Sequence, residues 1–79
     1  MQTIFIQIKC ELGRAYEVAD KLMETGFVSE VYAVSGNYDL IAKCHLDDGV
    51  DIARFVIGQV QMIKGVRDTY TFITLKAFT

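Results

Sequence analysis

The sequence predicts an α+β fold: a ferredoxin-like βαββαβ sandwich with a four-stranded antiparallel sheet in the order 4-1-3-2 and both helices on one face. Three observations carry this. Four stretches have the period or composition of strands and two have apolar residues stepping by three and four, in the order strand, helix, strand, strand, helix, strand. The two central strands are separated by Gly36-Asn37, a turn signal. Two right-handed crossovers around a central hairpin lead to this sandwich.

Residues 2–9 alternate, with Ile4, Ile6 and Ile8 on one side and Thr3, Phe5, Gln7 and Lys9 on the other, which makes the first strand. From Gly13 to about Thr25, the apolar residues Ala15, Val18, Ala19, Leu22 and Met23 recur at helical spacing, and Gly26 stands just past the last turn. Residues 28–35 and 38–46 are β-rich and read as a hairpin with a tight turn at Gly36-Asn37. Asp47 and Asp48 are expected to cap a second helix from about Val50 to Ile63, whose apolar positions are Ile52, Phe55, Val56, Val60 and Ile63, with Gly65 ending it. Residues 66–77, rich in Thr, Tyr, Phe and Ile, form the last strand.

Seventy-nine residues form one domain, residues 1–79 together, with one small core, so a monomer would be only marginally stable. Yet 52% of the residues are hydrophobic and the mean hydropathy is positive, more apolar surface than a core of this size hides. A partner surface is implied. The net charge of −2, without a basic run, lacks the field that phosphate backbones require, so no direct nucleic-acid contact is expected. No apolar run approaches the roughly 18 residues of a membrane span, and the alternating N-terminus is no secretory signal, so a cytoplasmic chain without membrane contact is expected. Cys10 and Cys44 are expected to be buried free thiols, and no spacing suggests a metal site or any cofactor.

Because helices cover one sheet face only, the other face decides what the domain meets. If Ile4, Ile6, Ile8, Leu40, Ala42, Cys44 and Leu46 face the helices, alternation sends Phe5, Tyr32, Val34, Ile41, Tyr70 and Phe72 outward. Single exposed apolar residues are ordinary, but six large ones on one open sheet suggest a patch that needs a cover. Packing two such sheets face to face predicts a homodimer, most simply about a two-fold axis.

The strand order also brings Gly36, Asn37, Asp39, Thr69 and Thr71 to one end of the sheet. Exposed turn amides can take a carboxylate, Asp39 an ammonium group, and threonine hydroxyls complete a set suited to an α-amino acid. Each residue also has a plain structural reading: Gly36 and Asn37 as turn formers, Asp39 as a cap of its own backbone, the threonines as good strand residues.

Ser35-Gly36-Asn37-Tyr38-Asp39, followed by Gly65-Val66-Arg67-Asp68-Thr69-Tyr70-Thr71, resembles the Gly-x-x-Asp and Gly-Val-x-x-Thr-x-Thr signatures of the effector-binding (RAM) domain of the Lrp/AsnC family, over nearly the whole chain. The resemblance implies the same fold, dimers packed by their sheets and assembled into octamers or decamers, and amino-acid effectors bound between dimers. It maps Gly36, Asn37, Tyr38 and Asp39 onto the ligand loop and Thr69 and Thr71 onto the neighbouring strand. It further implies a role in amino-acid-responsive transcription, through full-length Lrp/AsnC-type regulators as partners. Two departures stand out: the first strand begins at Gln2, which leaves no room for a helix-turn-helix domain and implies a stand-alone module, and Lys64 precedes Gly65 where the family often has proline.

No catalytic residue is expected. His45, the single histidine, falls by parity on the outward face with Ile41 and Lys43, without a nucleophile at a recognisable spacing. The rival reading is a small dimeric α+β-barrel enzyme of the monooxygenase or isomerase type, which a cleft between sheet and helices lined by His45 would favour. An ACT-like regulatory module would instead place its ligand at Glu11-Leu12-Gly13. Met23, Met62 and Phe55 read as core filling, and Lys9, Arg14 and Lys21 as solvated charge.

Overall fold

A computed structural model describes residues Met1–Thr79. The chain runs β1 (Gln2–Cys10), α1 (Ala15–Glu24), β2 (Val28–Ala33), β3 (Leu40–Leu46), α2 (Ile52–Phe55) continuing into a π-helical stretch (Val56–Val60), and β4 (Val66–Ile73). The sheet order β2-β3-β1-β4, all antiparallel, is the expected 4-1-3-2 read from the other edge.

Alternation in β1 and β3 sets the core. Ile4, Ile6, Ile8 and Cys10 and, in register, Leu40, Ala42, Cys44 and Leu46 are buried against Val18 and Leu22 of α1 and Phe55, Val56 and Val60 after β3. The register sets Ile4 opposite Cys44, Ile6 opposite Ala42 and Ile8 opposite Leu40, so the helix-facing side of the two central strands is a continuous apolar layer. Burying a side chain of this size is worth about 1.5–3 kcal/mol, and no polar group is buried with them.

Several boundaries differ from expectation, each for a local reason. Gly13, at φ 78°, cannot open a helix, and α1 starts at Ala15. Its far end is as read: the Thr25 hydroxyl donates to the Leu22 carbonyl at 2.8 Å and Gly26 turns the chain at φ 79°. Asp51, not Asp47 or Asp48, caps α2, its Oδ1 accepting the Arg54 amide at 3.2 Å. The Asp47 and Asp48 carbonyls instead receive the Gln2 side-chain amide at 3.0 and 3.2 Å. The Gly36 connection is not a two-residue turn: a longer loop, in which Gly36 alone has positive φ, closes with the Val34 amide on the Asp39 carbonyl at 2.9 Å. β4 stops at Ile73, opposite Ile4 of β1, rather than running on to residue 77. Phe55 fills the core, but Met23 and Met62, expected there, are exposed: Met23 is at the rim of α1 and Met62 lies past the helical turn.

Candidate functional site

At one end of the sheet, β3 begins beside the end of β1. The Asp39 amide donates to the Ile8 carbonyl at 2.9 Å, and the Cys10 amide donates to Asp39 Oδ2 at 2.7 Å. One carboxylate oxygen thus does what a strand carbonyl would have done where β3 leaves the ladder. A short charge-assisted bond of this kind is stronger than a neutral one. Next to it, the Lys9 ammonium donates to the Asn37 carbonyl at 3.1 Å, so this lysine is not simply solvated charge. Tyr38 lies on Tyr70 with ring centroids 6.3 Å apart and planes 17° apart, and Tyr70 meets Phe72 edge-on at 4.9 Å. The four loop residues are therefore held by β1 from one side and by the aromatic row of β4 from the other.

Thr69 and Thr71 come from the neighbouring strand at the same end of the sheet but on its other face. They pair with Ile8 and Ile6, whose side chains face the helices, so the pleat turns both threonines to the helix side while Tyr70 and Phe72 point outward. Thr69 Oγ1 accepts the Gln61 side-chain amide at 2.9 Å. Within one chain the sheet therefore separates the threonine hydroxyls from the outward face that carries Tyr70, against the expectation of a single neighbourhood. Gln61 was not expected here. The signal that could have found it is parity: Thr69 shares a face with Ile8, hence with the end of the second helix.

The open face is mixed rather than uniformly apolar. The row Tyr32–Ile41–Gln7–Tyr70 crosses all four strands, and Glu30–Lys43–Phe5–Phe72 lies next to it. Lys43 Nζ is 3.6 Å from Glu30, which also accepts the Tyr32 hydroxyl, and these partners hold the Glu30 carboxyl below its ordinary value, the Tyr32 bond first. Of the expected outward set, Tyr32, Val34, Tyr70 and Phe72 are exposed, whereas Phe5 and Ile41, in the central strands, are half-buried. His45 is on this face too, its Nδ1 3.2 Å from Thr3 Oγ1, and so does not line a cleft between sheet and helices.

Cys10 and Cys44 are free and buried. Burial pushes the Cys44 thiol up to about 11. Burial, with a smaller contribution from the Asp39 charge, raises Cys10 as well. Both therefore stay protonated and unreactive near neutrality. No group of three or more potential metal ligands comes together, and no helix is long and apolar enough to cross a membrane.

The profile of the Lrp/AsnC ligand binding domain matches residues 3–79. The HTH-type transcriptional regulator FL11 of Pyrococcus furiosus is 38% identical over 72 residues, which are 91% of this chain and 47% of that protein. The chain thus spans about half the length of the curated relatives it matches. Among solved structures, FFRP-DM1 superposes with a TM-score of 0.89 at 33% identity, covering 95% of this chain and all of that one. TTHA0845 from Thermus thermophilus superposes at 0.91 and 30%, covering 100% and 99%. The Gly36–Asp39 loop, the sheet order and the match from residue 3 to the last residue agree: this chain belongs to the Lrp/AsnC ligand binding domain family.

Proposed function

We propose that the chain is a sensing module for an α-amino acid that works as a homodimer through its open sheet faces, assembles further into an octamer or decamer, and acts in the cytoplasm on amino-acid-responsive transcription together with full-length Lrp/AsnC-type regulators. The observation that carries the ligand is the anchored loop. Asp39 commits one oxygen to the Cys10 amide and, as a carboxylate, has a second to offer to an ammonium group. The backbone of Gly36 and Asn37 would take the carboxylate, with Tyr38 as a wall. Since Thr69 and Thr71 lie on the other face of their own sheet, a ligand touching both the loop and these hydroxyls would be held by two chains. This suits a site at a subunit boundary. The placement of His45 on the open face argues against the barrel-enzyme alternative, and the net charge of −2 against direct contact with nucleic acid.

A thermal-shift screen of the twenty amino acids finds the ligand, since anything that binds only the native state raises its midpoint. Titration calorimetry then compares wild type with Asp39→Asn, which keeps an oxygen for the Cys10 amide but loses the charge. A charge-assisted bond is worth about 1.5–3 kcal/mol, so affinity should fall roughly tenfold or more while circular dichroism is unchanged. Equal affinities would leave Asp39 a purely structural role.

A further inference from the structure

We propose that residues 74–79 form a clasp that grips a second copy of this chain, with Phe78 entering that copy's cavity between Phe5, Tyr32 and Ile41. The proposal rests on the face-to-face dimer above and names the segment that locks it.

The segment is anchored at its start and bare beyond. Thr74 is fastened to the Thr3 carbonyl by its amide at 3.3 Å and its hydroxyl at 2.6 Å. After it, Leu75 is 97% and Phe78 88% exposed, the two large apolar groups of a six-residue tail. Phe78, left this bare at the margin of a face that already carries the exposed aromatic residues Tyr32, Tyr70 and Phe72, extends the area that needs a cover.

Its direction is set by the ladder. Ile73 pairs with Ile4, so Thr74 continues beside Thr3 on the outward side, and Lys76 and Phe78 share that parity in an extended chain. The Lys76 ammonium, 5.2 Å from the Phe78 ring centroid, shows the two on one side. Thr74, Lys76 and Ala77 line a cleft with Phe5, Lys43 and His45, so the tail departs along the open face itself. A molecule covering that face meets the tail, and the face-to-face dimer makes that molecule a second copy.

The copy has a place for it. A cavity of about 300 Å³ opens on the same face between Phe5, Tyr32 and Ile41, with Glu30 and Lys43 at its rim. It offers apolar walls for a phenyl ring and a carboxylate for Lys76, two residues before Phe78. β2, which carries Tyr32 and Glu30, is an edge strand, so its outer side is open to an added extended segment.

Sedimentation velocity over a range of concentrations compares wild type with the Leu75→Ser, Phe78→Ser double variant and with Ile41→Asp. Both tail residues lie outside the core, so circular dichroism should be unchanged in the double variant, while its dimer dissociation constant should rise at least tenfold. A benzophenone side chain introduced in place of Phe78 should cross-link to the partner's segment around Tyr32 and Ile41. An unchanged dissociation constant in the double variant, or cross-links within one chain only, overturns the clasp. If Ile41→Asp abolishes the dimer in that case, the sheet interface stands without it. A dimer that survives Ile41→Asp, or a wild type that never dimerises, removes the face-to-face reading and the clasp with it.

Discussion

The two faces of the sheet are built from the same four strands and differ in what they still lack. On the helix side, Ile4, Ile6, Ile8, Leu40, Ala42, Cys44 and Leu46 are buried within the chain, with no polar group among them. On the open side, large residues alternate with charged and amide ones: Phe5 between Lys43 and Phe72, Ile41 between Tyr32 and Gln7, with Glu30 tied to Lys43 and Tyr32. The first composition suits a permanent core, where any polar atom would need a partner. The second resembles an interface, which is only moderately apolar and relies on aromatic anchors among polar contacts. One face therefore accounts for the folding of the chain, and the other is the face left open for a partner in the proposed dimer.

The sharpest way to break this contrast is a matched pair of truncations. Ile6→Ala removes a fully buried side chain and should cost about 2–5 kcal/mol in urea unfolding, enough to unfold much of a domain this small. Tyr32→Ala, on the open face and 57% exposed, should change chemical stability of the monomer by less than about 0.5 kcal/mol while weakening self-association in sedimentation. Equal losses at both positions would mean that the open face is part of the monomer's own stability.

A second, smaller effect tests the point where the faces meet the site. Asp39→Ala leaves the Cys10 amide without its acceptor at the end of β1 and should cost about 1–3 kcal/mol, whereas Asp39→Asn should lose less. Amide hydrogen exchange at Cys10 would show the loss directly, as faster exchange in the alanine variant.

The last effect arises only at high pH and belongs to the core thiol. Cys44 is raised from 9.0 to about 11 by burial, so above pH 9 the native chain keeps a proton that the unfolded chain releases. Stability from this source is whole below pH 9 and is lost as pH rises towards 11. Unfolding midpoints measured across that window should fall less steeply for Cys44→Ala than for wild type, and iodoacetamide at neutral pH should label the thiols only in denaturant.

The order of elements, the sheet topology and the helix-facing set were legible in the sequence because each depends on short-range periodicity: parity in β1 and β3 sorted Ile4, Ile6 and Ile8 from Phe5 without reference to anything distant. Gly26 ended a helix and Gly36 turned the chain for the same local reason, a backbone that only glycine adopts easily. What the sequence left open were the cap of α2, the length of the Gly36 loop, the end of β4 and the meeting of Gln61 with Thr69. Each is settled by which hydrogen-bonding partners the folded chain brings within reach, not by periodicity. Asp47 and Asp48 stay in the turn before α2, their carbonyls on Gln2, and Asp51, next to the first helical residue, is the cap; β4 ends opposite Ile4, with the Thr74 amide on the Thr3 carbonyl. Asp39 is the clearest case. Its carboxylate and its neighbours were readable as a turn or as a ligand loop, but that one oxygen closes on the amide of Cys10 is decided only once β1 and β3 lie side by side, because a hydrogen bond of 2.7 Å across 29 residues of sequence exists only in the folded sheet.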